Sequence, residues 1–439
     1  MVDSEKILKY AEREGAQEAE IISENSKFTY VKVSPGGSGQ VVLGDTTKYA
    51  LRAVVDGAVG FAYFTANEKD AVKGAVSFAR TREKSEKWRS FPPDKKGCNM
   101  NLYRASIKDV PVERIVADMK LTGEAIQDEK VIASTMGCQL VSSTVEVLST
   151  SGVNKRESRS LSTLWVTCRA FDIDYGMSYS YNYSLDYDID LYEKGLRAKE
   201  DALRQLGKKK TEPGKKMVIL SPRVFTNLLV TAALPSFLGH NVARGRTTLH
   251  MGKEVASESI TITENPLTEN PQGRSFDDEG VPSQNVTLVD KMCVQNFLYD
   301  NYHGESTGSG IRFAQYHGRS LRYGPRPCAT SISVAGESAS LDALISQVTD
   351  GLLIIDEANS HVSKQQTGQF SIAVTSGFII KNGEICSPVK RCMVSGSAFK
   401  DLLPQVMQIS TERELHRNSV YPTYVETGYI LVDSLSITA

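Results

Sequence analysis

The chain of 439 residues lacks most of the signatures that assign a protein quickly. No apolar run approaches the roughly 18 residues needed to cross a bilayer, and Met1 to Lys6 hold no apolar stretch of the kind that starts a secretory signal; a cytoplasmic protein is expected. Positive charge is not in excess. Lys+Arg number 51 against 52 Asp+Glu, a formal net charge of -1, which leaves nothing to neutralise a phosphate backbone and argues against nucleic-acid binding. The 7 cysteines (Cys98, Cys138, Cys168, Cys293, Cys328, Cys386 and Cys392) form no Cys-x-x-Cys pair, so reduced, mostly buried thiols are expected. None of the 6 histidines (His240, His250, His303, His317, His361 and His416) stands four residues from another, the spacing with which one helix face grips zinc. The glycine turn Asp56-Gly57-Ala58-Val59-Gly60 is followed by no Gly-Lys-Ser/Thr, which removes a phosphate loop. Ser306-Thr307-Gly308-Ser309-Gly310 offers hydroxyls between glycines but is not a Gly-x-Ser-x-Gly elbow, and no base can be read beside it.

What is present is an ordinary globular composition, 40% hydrophobic, with length for two or three domains that each bury a core. Residues 1–100 read as a mixed α/β region: a helix over Ile7 to Gly15, strands at Ala19 to Ile22, Phe28 to Val33, Leu51 to Val55 and Phe61 to Phe64, and a helix from Lys69 to Arg80. Residues 101–212 open with a helix over Val112 to Gln127. They continue with strands at Val131 to Leu140, Thr144 to Thr150 and Ser160 to Phe171, and close with a helix over Asp188 to Leu206. Six tyrosines lie late in this region, Tyr175, Tyr179, Tyr181, Tyr183, Tyr187 and Tyr192. The alternation at 179, 181 and 183 puts three on one strand face, suited either to peptide or protein contact or to packing within the domain. Lys208-Lys209-Lys210 with Lys215 and Lys216 around Pro213-Gly214 reads as a solvated interdomain linker.

Residues 213–439 are strand-rich, with helices at Val224 to Leu234, Leu341 to Val348 and Phe399 to Met407. Lys381-Asn382-Gly383-Glu384 is a two-residue hairpin signal, whereas the turn at Asp290-Lys291-Met292 has no glycine. The fold class expected is α+β: a mixed α/β N-terminal half and a C-terminal half of antiparallel sheets, open or closed into a barrel.

The segment that carries most information is Pro235-Ser236-Phe237-Leu238-Gly239-His240. Ser221-Pro222 reads as a helix N-cap followed by proline in the first turn, and Val224, Leu228, Leu229 and Ala233 recur at helical spacing. Pro235 then removes a backbone donor, so the helix is expected to kink or end there. A hydrolytic zinc needs about three protein ligands, an open position and a carboxylate to take the water's proton. This segment retains one ligand type, His240. Asp277-Asp278-Glu279 is a second acidic candidate, read as a structural loop turned by Gly280.

Val255 to Pro266 (VASESITITENP), Ser275 to Pro282 (SFDDEGVP), Thr287 to Asp300 (TLVDKMCVQNFLYD), Ser306 to Gly310 (STGSG) and Thr367 to Val389 together resemble the TldD/PmbA family, whose older label is modulator of DNA gyrase. Weaker likeness extends through the N-terminal half. The family's catalytic branch, TldD, carries His-Glu-x-x-x-His on its helix. Laid on this chain, the first His falls on Pro235, the Glu on Ser236 and the last His on His240, and a further cysteine ligand near the C-terminus has no counterpart after Cys392. The resemblance therefore points to the TldE (PmbA) branch. It implies no catalytic, cofactor or metal residue in this chain, zinc in a TldD-like metalloprotease partner, and an unfolded peptide as substrate. A homodimer in the partner's absence is left open, as is a self-standing peptidase or hydrolase with a different active site.

Overall fold

The structure, a computed structural model, describes residues 3–34, 37–84, 88–187, 190–315 and 318–438. Helix α1 (Ser4–Arg13) leads into strands β1 (Glu18–Val33), β2 (Gly39–Val55) and β3 (Ala58–Phe64) and helix α2 (Glu68–Arg80). The same order then repeats: α3 (Val112–Ala125), β4 (Val131–Ser149), β5 (Asn154–Phe171), β6 (Tyr175–Ser184) and α4 (Leu191–Leu203). All six strands form one sheet in the order β3-β2-β1-β4-β5-β6. The regions read separately as residues 1–100 and 101–212 thus share a continuous sheet, related across the antiparallel β1–β4 pair by a pseudo-two-fold axis.

Side-chain parity divides this sheet cleanly. Ala19, Ile21 and Val31 of β1 and Met136, Cys138 and Leu148 of β4 lie on one face, under the four helices, in two cores. Ile22, Val145 and Val147 point the other way, onto Phe276 and Leu321 of the C-terminal half. A shift of one residue in register would exchange these faces, so the buried alternation fixes the pairing. Gly60 is required by packing: a Cβ there would stand 1.9 Å from the Ala75 carbonyl oxygen of α2.

The basic segment before the C-terminal half keeps Lys209, Lys210 and Lys215 exposed, as a solvated linker would, but its backbone is docked and Lys216 is buried. Lys209 N donates to Pro388 O (2.9 Å), Lys390 N donates to Lys209 O (2.7 Å), and the buried Lys216 ammonium lies 2.6 Å from Asp350 Oδ2. Strand β7 (Gly214–Leu220) then enters a closed five-stranded barrel with Asp350–Ala358, Gln369–Lys381, Met393–Ser397 and Ile430–Thr438, the last pairing back onto β7. A six-stranded sheet that includes Ile260–Glu264, Val286–Asp290 and Ser331–Gly336 packs beside it. Helix α5 (Pro222–Leu228) lies among both, with Val224, Phe225 and Leu228 in the main core. The hairpin at Asn382-Gly383 forms with both φ angles positive. So does the turn at Lys291 (φ 44) and Met292 (φ 71), where no glycine relieves the left-handed conformation. The helix expected over Phe399 to Met407 is instead a wide π turn (Ala398–Leu402) and a 3-10 turn containing Pro404, after which Val406 begins a strand. Proline at this point can neither donate to nor fit beneath the preceding turn.

Candidate functional site

His240 is delivered by a helix that changes pitch. Ser221 Oγ accepts from Val224 N (3.3 Å) and Pro222 occupies the first turn, as the sequence indicates. After α5 the backbone widens into a π turn, Leu229–Ala233, and tightens into a 3-10 turn, Leu234–Phe237. Pro235 sits at the changeover, where its missing N–H and its ring forbid a continuous α-helix. Pro235 and Ser236 are both buried. Ser236 Oγ donates to Gln365 O (3.2 Å), and Asn241 Nδ2 donates to Pro235 O (2.8 Å). Gly239 N then donates to Leu298 O (2.7 Å), an approach open only to glycine, because a Cβ would lie 2.2 Å from the Tyr299 ring.

His240 arrives with its ring centroid 6.0 Å from that of His303. Its Nδ1 is buried and has no hydrogen-bond partner among the described residues. Burial first, then His303, Arg244 and Arg326, push its pKa down to about 4, against a smaller opposing effect of Asp300. The imidazole is therefore neutral at pH 7, the form a metal needs, yet the formal charges of Arg244 and Arg326 around it repel a cation. The two other motif positions supply no ligand and no base, and among the described residues no group of three or more His, Cys, Asp or Glu side chains is placed to hold a metal ion. The donor set does not fit a hydrolytic zinc, which takes about three ligands.

His303 is the residue that the sequence reading missed. Asp300, fully buried, accepts both from His303 N (2.9 Å) and at the ring Nδ1 (2.7 Å), which holds the imidazole in one orientation. The ring faces a cavity of ≈ 600 Å³ between the segment around Arg89, Pro92 and Lys95 and the loop Asn301–Ser306. Histidine three residues after aspartate was visible in the sequence, but nothing local tied it to His240, which lies 63 positions earlier. The hydroxyls nearby are occupied within their own loop. Ser306 Oγ lies 3.4 Å from Tyr299 O and accepts from Gly308 N (3.2 Å), and Thr307 Oγ1 donates to Ser309 Oγ (3.1 Å).

The acidic turn is a buried seam between the two halves. Asp277 accepts from the backbone N of Glu279, Val281 and Gly310 at 2.8–3.0 Å, and Gly280 supplies the positive φ of 77°. Asp278 accepts from Arg312 N (2.8 Å) and pairs with Arg319. Glu279 pairs with Arg52 (3.0 Å), which also grips Glu20 at 2.5 and 3.0 Å, and Arg312 reaches Glu20 at 2.6 Å. Burial, and then Glu279, hold the Asp277 carboxyl well above the usual range. Burial raises Glu279 as well, against the pull of Arg52. These carboxylates bind protein, and none of them approaches His240 as a base.

The other residues singled out from sequence are scattered. His250 contacts the Met251 carbonyl (3.1 Å), and His416 lies 2.8 Å from Glu414, well away from the motif. His317 and Asp188 fall outside the described residues. Tyr179, Tyr181 and Tyr183 do share a face, stacked at 6.3–6.4 Å, and all three are half-buried there. Arg223 lies over the first two rings at 4.9 and 5.3 Å, and Tyr183 meets Tyr424 edge-on at 5.1 Å. Four cysteines are buried, Cys293 is half-buried, Cys98 and Cys386 are exposed, and all seven are free thiols.

Comparison with known proteins places this geometry. Residues 213–439 match the model of the PmbA/TldA metallopeptidase C-terminal domain, and residues 105–206 match that of the central domain. An uncharacterized protein of Methanocaldococcus jannaschii is 27% identical over 91% of this chain and 93% of its own length. The metalloprotease PmbA homolog of Haemophilus influenzae is 24% identical over 96% and 97%. The crystal structure of TldE from Thermococcus kodakarensis superimposes with a TM-score of 0.89 at 21% identity, covering 99% of this chain and 100% of that one.

Proposed function

Since this chain belongs to the TldD/PmbA family of metallopeptidases, we propose that it is a TldE-type, non-catalytic subunit that pairs with a TldD-like zinc metallopeptidase in the cytoplasm. Its role there is to complete the cleft in which an unfolded peptide is held for cleavage. One observation carries this reading: Pro235 and Ser236, at the positions of a ligand and the base, are buried parts of a pitch change in the helix, leaving His240 without a ligand set. Zinc belongs to the partner, and the scaffold shared with it offers exposed sheet edges to which an extended peptide can add. The test is to purify the chain alone and together with the TldD-type protein of the same organism, then measure zinc and cleavage of an unfolded peptide. Far less than one zinc per chain and no cleavage by the chain alone, with a stable complex that cleaves, supports the proposal. Stoichiometric zinc in the isolated chain with chelator-sensitive cleavage overturns it.

The pair Asp300–His303 beside the cavity is the one arrangement that favours a self-standing hydrolase. An oriented imidazole suits a general base, but no hydroxyl or thiol among the described residues donates to it. Cleavage by the isolated, metal-free chain that is lost in His303→Ala would establish that reading instead.

A further inference from the structure

The cavity of ≈ 600 Å³ beside His303 falls within the size of small-ligand sites, about 300–1,000 Å³. Pro92 and Val281 are buried in its wall, and Arg89, Lys95 and Glu305 are exposed around it. The imidazole that Asp300 holds through Nδ1 has its other nitrogen, Nε2, bonded to no described residue.

The charges around this cavity do not balance. Arg89 and Lys95 line it against one carboxylate, Glu305. Arg244 follows the lining residue Ala243, and both it and Arg326 act on His240 as positive charges. None of these four cations has an ion pair among the described residues, and Arg326 lies over the Phe313 ring at 5.5 Å. The other carboxylates of the neighbourhood are taken: Asp94 by Lys155 (2.7 Å), Asp300 by His303 (2.7 Å), and Glu279 by Arg52 (3.0 Å) and Asn301 N (2.9 Å). In the seam nearby, by contrast, Arg52 holds two carboxylates and Arg319 one. Unpaired positive charge about a concave, partly apolar surface concentrates anions there, because low-dielectric walls focus the field.

We propose that this cavity is a carboxylate-binding site that takes the C-terminal carboxylate of an extended peptide, with Arg89 and Lys95 as its charge partners and the His303 ring beside them. A carboxylate suits the Arg89 guanidinium, whose parallel N–H groups match its two oxygens. Pro92, Pro93 and Val281 offer apolar surface to the peptide side chains next to it. A free carboxylic acid shares this chemistry, and the probes below separate the two sources. The peptide source rests on the subunit reading and deepens it, since one end of the substrate is then anchored in the non-catalytic chain. Binding is measured on the isolated chain, so its failure is distinguishable from a failure to pair with a catalytic relative or to cleave.

The test is calorimetric titration of the full-length chain, alone and at low salt, where exposed charges are least screened. Four probes are compared: a short alanine–serine peptide with a free C-terminus, the same peptide as its C-terminal amide, N-acetylglycine, and inorganic phosphate. The free peptide should bind at least about tenfold more tightly than the amide, and Arg89→Gln with Lys95→Gln should weaken it at least about tenfold. Both side chains are exposed, so the thermal unfolding curve should not move. Glu305→Gln removes the opposing charge and should tighten binding, a gain that general damage does not produce. N-acetylglycine weaker than the peptide supports the peptide end, whereas equal affinity assigns the site to a small free acid and overturns that source. Equal affinity for peptide and amide, phosphate bound as tightly as the peptide, no binding up to millimolar concentrations, or affinities indifferent to these substitutions overturn the carboxylate site itself.

Discussion

Two polar clusters lie at the junction of the N-terminal sheet and the C-terminal half, and they are completed to different degrees. Around Asp277–Glu279 each carboxylate has its partners: three backbone donors for Asp277, a backbone donor and Arg319 for Asp278, and Arg52 with Asn301 N for Glu279. The seam's arginines do keep orphans, Arg312 Nε and Arg319 Nε, but its carboxylates do not, whereas at the motif the imidazole itself has a buried nitrogen, Nδ1, without a partner among the described residues. Leaving a buried polar atom unpaired costs about 1–3 kcal/mol. The contrast separates a cluster whose carboxylates are held by partners from an imidazole that has none at Nδ1: the first would be damaged by removing a member, the second by burying a new charge beside it.

The largest expected effect is at the completed cluster. Arg52→Met removes three charge-assisted bonds and leaves Glu20 and Glu279 buried with less positive charge between them, so stability should fall by about 3–5 kcal/mol in urea unfolding. Pairing it with Glu279→Gln should recover part of that loss. If Arg52→Met costs less than about 1 kcal/mol, the seam does not hold the halves together.

Next in size is the attempted restoration. Ser236→Glu would bury a carboxylate facing the Gln365 carbonyl, and about 3 kcal/mol of destabilisation is expected. Adding Pro235→His completes His-Glu-x-x-x-His but leaves Arg244 and Arg326 beside His240, so metal analysis of the double variant should find well under one zinc per chain. Tight, stoichiometric zinc there would mean that a third ligand exists.

Smaller still is the pH dependence of His240. Its pKa is lowered from 6.5 to about 4 in the folded state, so between these values the unfolded chain binds a proton that the folded chain does not. The stability tied to neutral His240 is therefore present above pH 6.5 and is lost as pH falls toward 4, by about 2 kcal/mol once its partial exposure is allowed for. Asp277 and Glu279, raised by burial, act with the opposite sign, which makes the comparison with His240→Asn the informative one. If this account is wrong, the difference in unfolding free energy between wild type and variant will be the same at pH 7 and pH 4.5. The smallest expected effect lies outside both clusters: Met292→Gly, which relieves a left-handed φ of 71°, should raise stability by about 1 kcal/mol or less in thermal unfolding.

Much of the fold was legible because it rests on local rules. The Ser221 cap, the Asn382-Gly383 hairpin, the α2 and α3 helices and the 3-10 turn at Pro235 that closes the segment begun by α5 each follow from a side chain acting on its own backbone. Long strands were read in pieces. Residues 19–22 and 28–33 are one strand, β1, because Ser23 to Lys27 pair with β2 on one side and β4 on the other, and a backbone satisfied on both sides tolerates polar side chains. Lys216, grouped with the solvated lysines, is the buried exception because its partner Asp350 lies on the barrel, 134 positions away.

By itself the sequence determined that this chain is α+β, that its helix breaks before His240, and that the motif positions hold Pro235 and Ser236 rather than a ligand and a base, since each is a matter of residue identity or of near-neighbour geometry. Only the tertiary structure decided that His303 stands beside His240, that the acidic turn is a seam of ion pairs with Arg52 and Arg319, and that the tyrosine ladder packs against Arg223 and Tyr424. Those are contacts between residues tens to hundreds of positions apart, and what places them is the burial of the sheet's two faces, which no local pattern records.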